Sequence, residues 1–562
     1  MNRRDGGFVL ALVVVLVVLA GVVAAPSFAP AATPAPRPTP TPAVGHVQGV
    51  LGRPSSVTPL TARTQVDRDL VALLFRGLVR LGPGSTVIPD LATRWSVDEG
   101  GTRWTFHMRP DAWWHDGTPV TSADVIYTIR VLQDPDYTGA LAATWAQVTA
   151  RALDAHTVQL DLGDPVGGFL QAAALPLMPA HILEGIPVAA LADDAFASQP
   201  FGNGAFALVE LTKDAAILEP VLSPVADPSG PLGDPAVGEM MGRTPRLASL
   251  ELRFFDTVAA LSAAFAAGDI GSVADLPPAD AVALADATPG AGAIRYPSTT
   301  LTAITFNLRT PGGPFADARS RRALLAAVDR SDMIADLLHG AAVRADTPIP
   351  PSSWAYDAKS APVVTYDRSA AARGLREAGW RRPAKAWIAP RASKPLKVAL
   401  LAPERAANPV AFAAATRVAA AWTSLGLATS VEALPPGEFV NRLRAGTYVA
   451  AIVDVNMGLD PDPYPILAST QAREGGANVS GIQDAALDAA LVAARAPGAM
   501  PARRKAYAKL QAELTRLQPM PTLFFRDSVL VAGPGLAGPA ARPVPDGSGR
   551  FWDVIRWTST GR

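Results

Sequence analysis

The chain has 562 residues, more than one hydrophobic core can serve, so two or three domains are expected. Lysine plus arginine and aspartate plus glutamate number 50 each, leaving no net field to steer the chain toward nucleic acid. The absence of cysteine excludes disulfides, thiolate metal sites, a cysteine nucleophile and a lipid-modified cysteine anchor.

Arg3 and Arg4 precede an uncharged run from Phe8 to Ala25, rich in valine and leucine. The run is long for a signal-peptide core and short for a membrane span. Small residues suited to cleavage stand at Val23-Ala24-Ala25 and Ala29-Pro30-Ala31, but prolines crowd both. The reading favours residues 1–25 as an uncleaved anchor over a cleaved signal, with Arg3 and Arg4 inside. Residues 26–45, rich in proline, form an extended spacer. In either case the body is expected outside the cytoplasm.

Asp67 to Arg80 reads as a helix running into R-G-L-V-R-L. From Pro89 to Val125 the order is D-L-A-x-x-W, an acidic-Gly pair, W-T-F-x-M-R, W-x-D-G-T-P, then Thr121 with Asp124 three residues on. Trp104, Phe106 and Met108 alternate with Thr105, His107 and Arg109, the period of a half-buried strand. Asp116-Gly117 is turn chemistry. Thr121 and Asp124 suit a capping box on a helix that carries Val125, Ile129 and Leu132 on one face. This block reads as scaffold, with Trp113 and Trp114 in the core. Thr157–Leu162 alternates as a strand, Pro200–Phe206 is glycine-rich, residues 215–245 are rich in proline and glycine, and 246–270 read as a strand and a helix.

A second region begins near Thr299. Residues 301–340 read as a strand and two helices, the second closed at Gly340, where a left-handed residue is wanted. Y-D-R-S-A-A-A-R-G-L-R-E-A-G-W (366–380) is a further helix. Strands at Leu396–Leu401, Ala428–Leu434 and Tyr448–Val455 alternate with helices at 410–425 and Glu438–Ala445. Such a βαβαβ run implies a mostly parallel sheet wrapped by helices, with right-handed crossovers. A helix at 503–517 and the strand T-L-F-F-R-D-S-V-L-V (522–531) follow.

The 89–125 block, the P-F-x-D…R-x-A-L-x-x-A-x-D-R segment at 314–330 and the 366–380 helix resemble the family 5 solute-binding proteins of ABC importers. The resemblance covers roughly residues 50–530, with a gap at 215–245. Phe75-Arg76 stands where the family has Tyr-Glu, and P-F-G-N-G-A-F resembles its P-x-G-T-G-P-Y, with Asn203 in place of threonine. It implies an α/β fold with two lobes, periplasmic-binding-protein-like of type II, with an extra subdomain in the first lobe. Lobe I would take residues 46–298 and 518–562 and lobe II 299–517, hinged by crossing segments near 297–307 and 518–530. The implied function is capture of a peptide-like or other small solute by a monomer, for delivery to an ABC permease. A membrane-tethered sensor or scaffold on the same fold is the alternative.

In the family's peptide binders an aspartate three residues before an Asp-Pro pair holds the peptide's ammonium. Aligning Asp460-Pro461 places Met457 at that position, beside Asn456, while Asp454 stands near where a tryptophan is usual. Methionine cannot hold an ammonium, so free-amine peptides are disfavoured unless Asp454 substitutes. Asp460-Pro461-Asp462-Pro463 reads as a structural turn. Trp354 and Tyr356 follow a proline loop that often faces the cleft, where their flat faces would cover a solute. No G-x-S-x-G, H-E-x-x-H or G-x-x-x-x-G-K occurs, and the G-x-G-x-x-G at Gly533–Gly538 runs into Pro539 instead of a helix. The six histidines are scattered, so no catalytic site, metal or cofactor is expected.

Overall fold

The computed structural model describes residues 44–82, 86–137, 139, 141–221, 244–473 and 476–560, and alternating apolar residues set its strands. The expected anchor, most of the spacer and residues 222–243 lie outside these described residues. The first elements are β1 (His46–Leu51) and α1 (Gln65–Leu74), the helix capped by Thr64 and Asp67 in a capping box. This helix ends six residues before Arg80, because Val79–Leu81 pairs as a short strand with Val87–Pro89.

The scaffold block folds as expected. Strands β2 (Ala92–Val97), β3 (Arg103–Met108), β4 (Val148–Asp154) and β5 (Thr157–Leu162) form an antiparallel sheet in the order β2-β3-β5-β4. Phe106 and Met108 are buried beneath it. Gly117 takes φ +89 in the turn, and the Trp114 amide donates to Thr118 O at 2.8 Å. Helix α2 (Ser122–Gln133) opens with the Thr121–Asp124 capping box, and the same carboxylate accepts from the Ala180 amide at 2.9 Å. Burial pushes the Asp124 pKa up. Trp114 is buried, but Trp113 is 52% exposed, which corrects its expected place in the core. Successive residues of this extended loop point to opposite sides, so only one indole can face inward.

Strands β6 (Phe206–Leu211), β7 (Ala215–Pro220), β8 (Leu250–Phe255), β9 (Ser272–Ala274) and the long β10 (Gly292–Phe306) extend the main sheet. Helices α3 (Ala318–Ala326), α4 (Arg330–Leu338) and α5 (Arg368–Glu377) follow. The predicted βαβαβ run is β11 (Lys397–Pro403), α6 (Pro409–Leu425), β12 (Ala428–Leu434), α7 (Pro436–Ala445) and β13 (Ala450–Asn456). Within it β11 is parallel to both β12 and β13. Helices α8 (Ala485–Arg495) and α9 (Met500–Leu517) lead to β14 (Thr522–Ala532). The main sheet runs β12-β11-β13-β10-β14-β9-β1-β8-β7-β6. It is mixed, since β10 is antiparallel to both β13 and β14.

Separate apolar cores mark the two lobes. One gathers Val50, Leu70, Phe106, Leu252, Tyr296, Leu530 and Trp557. Others gather Ile304, Phe306, Trp422, Ile452 and Phe524 on one face of the second lobe's sheet, and Leu301, Met457 and Phe525 on its other face. Strands β10 and β14 therefore run side by side from one lobe into the other, and the ladder between them slips between Pro297 and Leu301. The two crossing segments are thus a pair of bonded strands.

The arginines of the 314–330 motif hold this scaffold. Arg321 is 2% exposed, with its guanidinium spent on the carbonyls of Phe315, Ala316, Leu517 and Gln518 at the C-terminus of α9. The carbonyl end of a helix favours a cation; burial still lowers the Arg321 pKa to about 10. Arg330 donates to the carbonyls of Ala345, Thr522 and Val364 and pairs with Asp346 at 3.1 Å.

Candidate functional site

Ligands of open α/β sheets lie beyond the carboxyl ends of the parallel strands. Here those ends are Pro403, Leu434 and Asn456, next to the crossing strands. Asp454 is paired across to Thr302 of β10, and its side chain is 15% exposed. One carboxylate oxygen accepts from Thr302 Oγ1 at 2.7 Å. The other accepts from Asn408 Nδ2 at 2.8 Å and lies 2.8 Å from Arg526 Nη1. Asn408 is itself fixed, because its Oδ1 caps α6 through the Ala411 amide at 3.0 Å. Asp454 is thus held and neutralised within the protein.

Asn456 is exposed and its side chain makes three hydrogen bonds. Its Oδ1 accepts from Thr299 Oγ1 at 2.8 Å and the Gly458 amide at 2.9 Å, and its Nδ2 donates to Pro545 O at 2.9 Å. It ties the end of β13 to the C-terminal segment. Met457 is 5% exposed and packs with Leu301, Phe439, Tyr448, Met520 and Phe525. No carboxylate stands at its position.

The Asp460–Pro463 turn is clamped. Asp460 and Arg503 form a two-pronged pair at 2.9 and 3.0 Å, with side chains 6% and 9% exposed. Burial pushes the Asp460 pKa up while Arg503 pulls it back. Asp462 pairs with Arg495 at 3.2 Å, and Tyr507 Oη donates to Pro461 O. Trp354, half-buried, lies under the Arg503 guanidinium at 4.4 Å and meets Tyr507 edge-on at 5.1 Å. Tyr356 packs into the same second-lobe cluster. On the first-lobe side, the Gly167 amide donates to Arg495 O at 2.8 Å. A Cβ on Gly167 would lie 2.9 Å from Arg503 Cζ, and one on Gly168 would lie 3.3 Å from Asp460 Oδ2. The 165–168 loop thus rests directly on this cluster.

Asp454, Asn456 and Met457 share one strand end, and Trp354 reaches their loop through Arg503 and Asp460. Asn203 stands apart in the first lobe. Its Oδ1 accepts from the Arg76 amide at 2.7 Å, and its own amide donates to Leu74 O at 3.0 Å. His115 completes that clamp with both ring nitrogens, on Gly204 O and the Gly202 amide.

The family model for bacterial extracellular solute-binding proteins, family 5 (middle region), matches residues 86–478. The chain belongs to this family. A dipeptide-binding protein of Escherichia coli is 25% identical over 458 residues, 76% of this chain and 79% of that one. Heme-binding protein A of Haemophilus influenzae is 25% identical over 444 residues, 74% and 75% of the two chains. The oligopeptide-binding protein AppA of Bacillus subtilis, solved with a nonapeptide, shares the fold with a TM-score of 0.74 at 21% identity, covering 92% of this chain and 100% of that one.

This family 5 chain places residues at the strand ends that the sequence reading passed over: Thr302, Asn408 and Arg526. Arg526 had a visible signal, since Arg526-Asp527 interrupts an otherwise apolar strand. Thr302 and Asn408 carried none. Among the described residues no group of three acidic or histidine side chains is placed to hold a metal, and no helix is long and apolar enough to cross a membrane.

Proposed function

We propose that this protein captures a small solute between its lobes and delivers it to an ABC permease, with no covalent chemistry. Lobe I comprises residues 46–298 and 518–562 and lobe II comprises 299–517, closing by hinge motion. Residues 1–25 tether the protein to the membrane, and residues 26–45 space it from the surface. The observation that supports this reading most is the pair of strands β10 and β14 passing side by side between two separately cored lobes in a chain of this family. Native mass spectrometry of protein purified without refolding is expected to find a co-purified solute. Its removal should raise the radius of gyration in small-angle scattering. A chain that carries no solute and does not change size would point instead to a tethered scaffold. A mature N-terminus between residues 25 and 33 would exclude the tether.

The solute bears no free α-amine: N-blocked peptides, glycosides and other neutral solutes fit the site. Asp454, Asn456, Met457, Trp354, Tyr356 and Asn203 are the residues proposed for the solute site, with Asp454 and Met457 deciding the preference. A buried ammonium needs a free carboxylate partner. Met457 offers none, and Asp454 is already engaged by Thr302, Asn408 and Arg526. Calorimetry with a tripeptide and its N-acetyl form tests this. Ten-fold tighter binding of the free amine, abolished by Asp454→Asn, would overturn it.

A further inference from the structure

We propose that Arg526 is a solute-binding residue that recognises a carboxylate on the captured solute; this rests on the solute-capture reading above and, among the solutes named there, selects N-blocked peptides with a free C-terminal carboxylate over neutral ones. Its place in the chain carries the first part of the argument. On β14, Leu523, Phe524 and Phe525 lie in second-lobe cores, while Leu530 lies in the first-lobe core. Arg526 is at the passage between them, where a solute held between lobes rests on the crossing strands. The carboxyl ends of β11 and β13, where such sheets bind ligands, meet it there through Asp454.

Its bonding carries the second part. Asp454 receives Thr302 Oγ1, Asn408 Nδ2 and Arg526 Nη1, so its acceptor positions are largely filled from within the protein. The guanidinium has five N–H donors, and its ion pair with Asp454 is made through Nη1. Nε and Nη2 have no partner among the described residues, and the side chain is 27% exposed. Asp454 is therefore the positioning residue: it holds the guanidinium through Nη1 and leaves Nε and Nη2 for a solute. These two donors match a carboxylate in a two-pronged arrangement. The polarity of the site is thus reversed, with the cation more exposed than its aspartate. Removing Arg526 would expose Asp454 and turn the same place into an ammonium site.

The test uses full-length protein and three probes: N-acetyl-trialanine, N-acetyl-trialanine amide and trialanine amide. By calorimetry the wild type is expected to bind the N-acetyl acid at least ten-fold more tightly than the N-acetyl amide. Arg526→Gln should erase that difference and raise affinity for trialanine amide, whose free amine can now reach Asp454. Arg526→Lys, which keeps the charge, should retain part of the acid preference and guards against a folding defect in the glutamine variant. Equal binding of acid and amide by the wild type, or an acid preference that survives Arg526→Gln, would overturn the assignment. If no probe binds, the solute released from native protein decides. A carboxylate-bearing solute lost in Arg526→Gln upholds Arg526; a neutral or cationic one sinks Arg526 but leaves solute capture standing. If nothing is released and nothing binds, solute capture itself fails, and Arg526 with it.

Discussion

Replacing Arg503 with methionine keeps the length of the side chain and removes its charge, isolating what the guanidinium does for Asp460. The pair is two-pronged at 2.9 and 3.0 Å, with side chains 9% and 6% exposed. Without Arg503 the carboxylate is buried and uncompensated, which costs about 3–5 kcal/mol. Loss of the stacking on Trp354, at 4.4 Å, adds roughly 1 kcal/mol. Urea unfolding at pH 7, followed by both fluorescence and circular dichroism, should show a loss of this order. Burial already pushes the Asp460 pKa up, and the variant lacks the one group that pulls it back. A carboxyl with a raised folded pKa binds more protons folded than unfolded, so the variant's deficit grows as pH rises above the ordinary value of 3.8 and shrinks in acid. Removing both partners, as Asp460→Asn with Arg503→Met, should recover most of the loss, because no lone charge remains. An Arg503→Met protein within about 1 kcal/mol of wild type at pH 7 would refute the reasoning.

Three further outcomes follow from other places. His46 is buried against Ser272 Oγ at 2.8 Å, and burial lowers its pKa from 6.5 to about 4. The unfolded chain therefore binds one more proton between those values, so stability falls with acid across that window by roughly 3 kcal/mol, a slope His46→Gln should lack; identical slopes would dismiss it. Gly167→Val would drive a side chain into Arg503 and Ala496 O, 2.9 and 3.1 Å from the added Cβ. It should hold the lobes apart and raise the radius of gyration; an unchanged value in scattering counts against this contact between the 165–168 loop and Arg503. In Gly202→Ala the new Cβ would fall 1.8 Å from Leu74 O, in a loop pinned by Asn203 and His115. A loss of about 3 kcal/mol is expected in thermal or urea unfolding, and an unaffected protein would show that this loop can relax.

Patterns set by near neighbours are legible in the amino-acid sequence. The period-2 run at Trp104–Met108, the capping box at Thr121–Asp124 and the alternation from Leu396 to Val455 each depend on residues a few positions away. Their elements lie within a few residues of the expected places. Expectation and structure part where a distant partner decides. The helix expected to reach Arg80 stops at Leu74 because Val79–Leu81 finds a strand partner. Asp454 reads from sequence as an anchor or a solvated strand end, and nothing local reveals its bonds within the protein. Its partners Asn408, Arg526 and Thr302 stand 46, 72 and 152 residues away. A charged residue in a sequence shows that a partner is needed, but its identity belongs to the fold.

The passage between lobes is the exception, where a non-local feature left a local trace. A strand that serves one core is apolar on its buried face along its whole length. A strand that serves two cores passes a stretch between them, where side chains bond to other segments instead of packing into either core. Ser298, Thr299 and Thr300 interrupt β10 in this way, and Arg526, Asp527 and Ser528 interrupt β14. The two interruptions lie opposite each other, with Pro297 paired to Asp527 at one end and Leu301 to Phe525 at the other. These polar side chains bond to other segments: Ser298 Oγ donates to Arg526 O at 2.7 Å, Thr299 Oγ1 donates to Asn456 Oδ1 at 2.8 Å, and Arg526 pairs with Asp454. The break in pattern that marks the passage between the cores thus also places Arg526 beside Asp454.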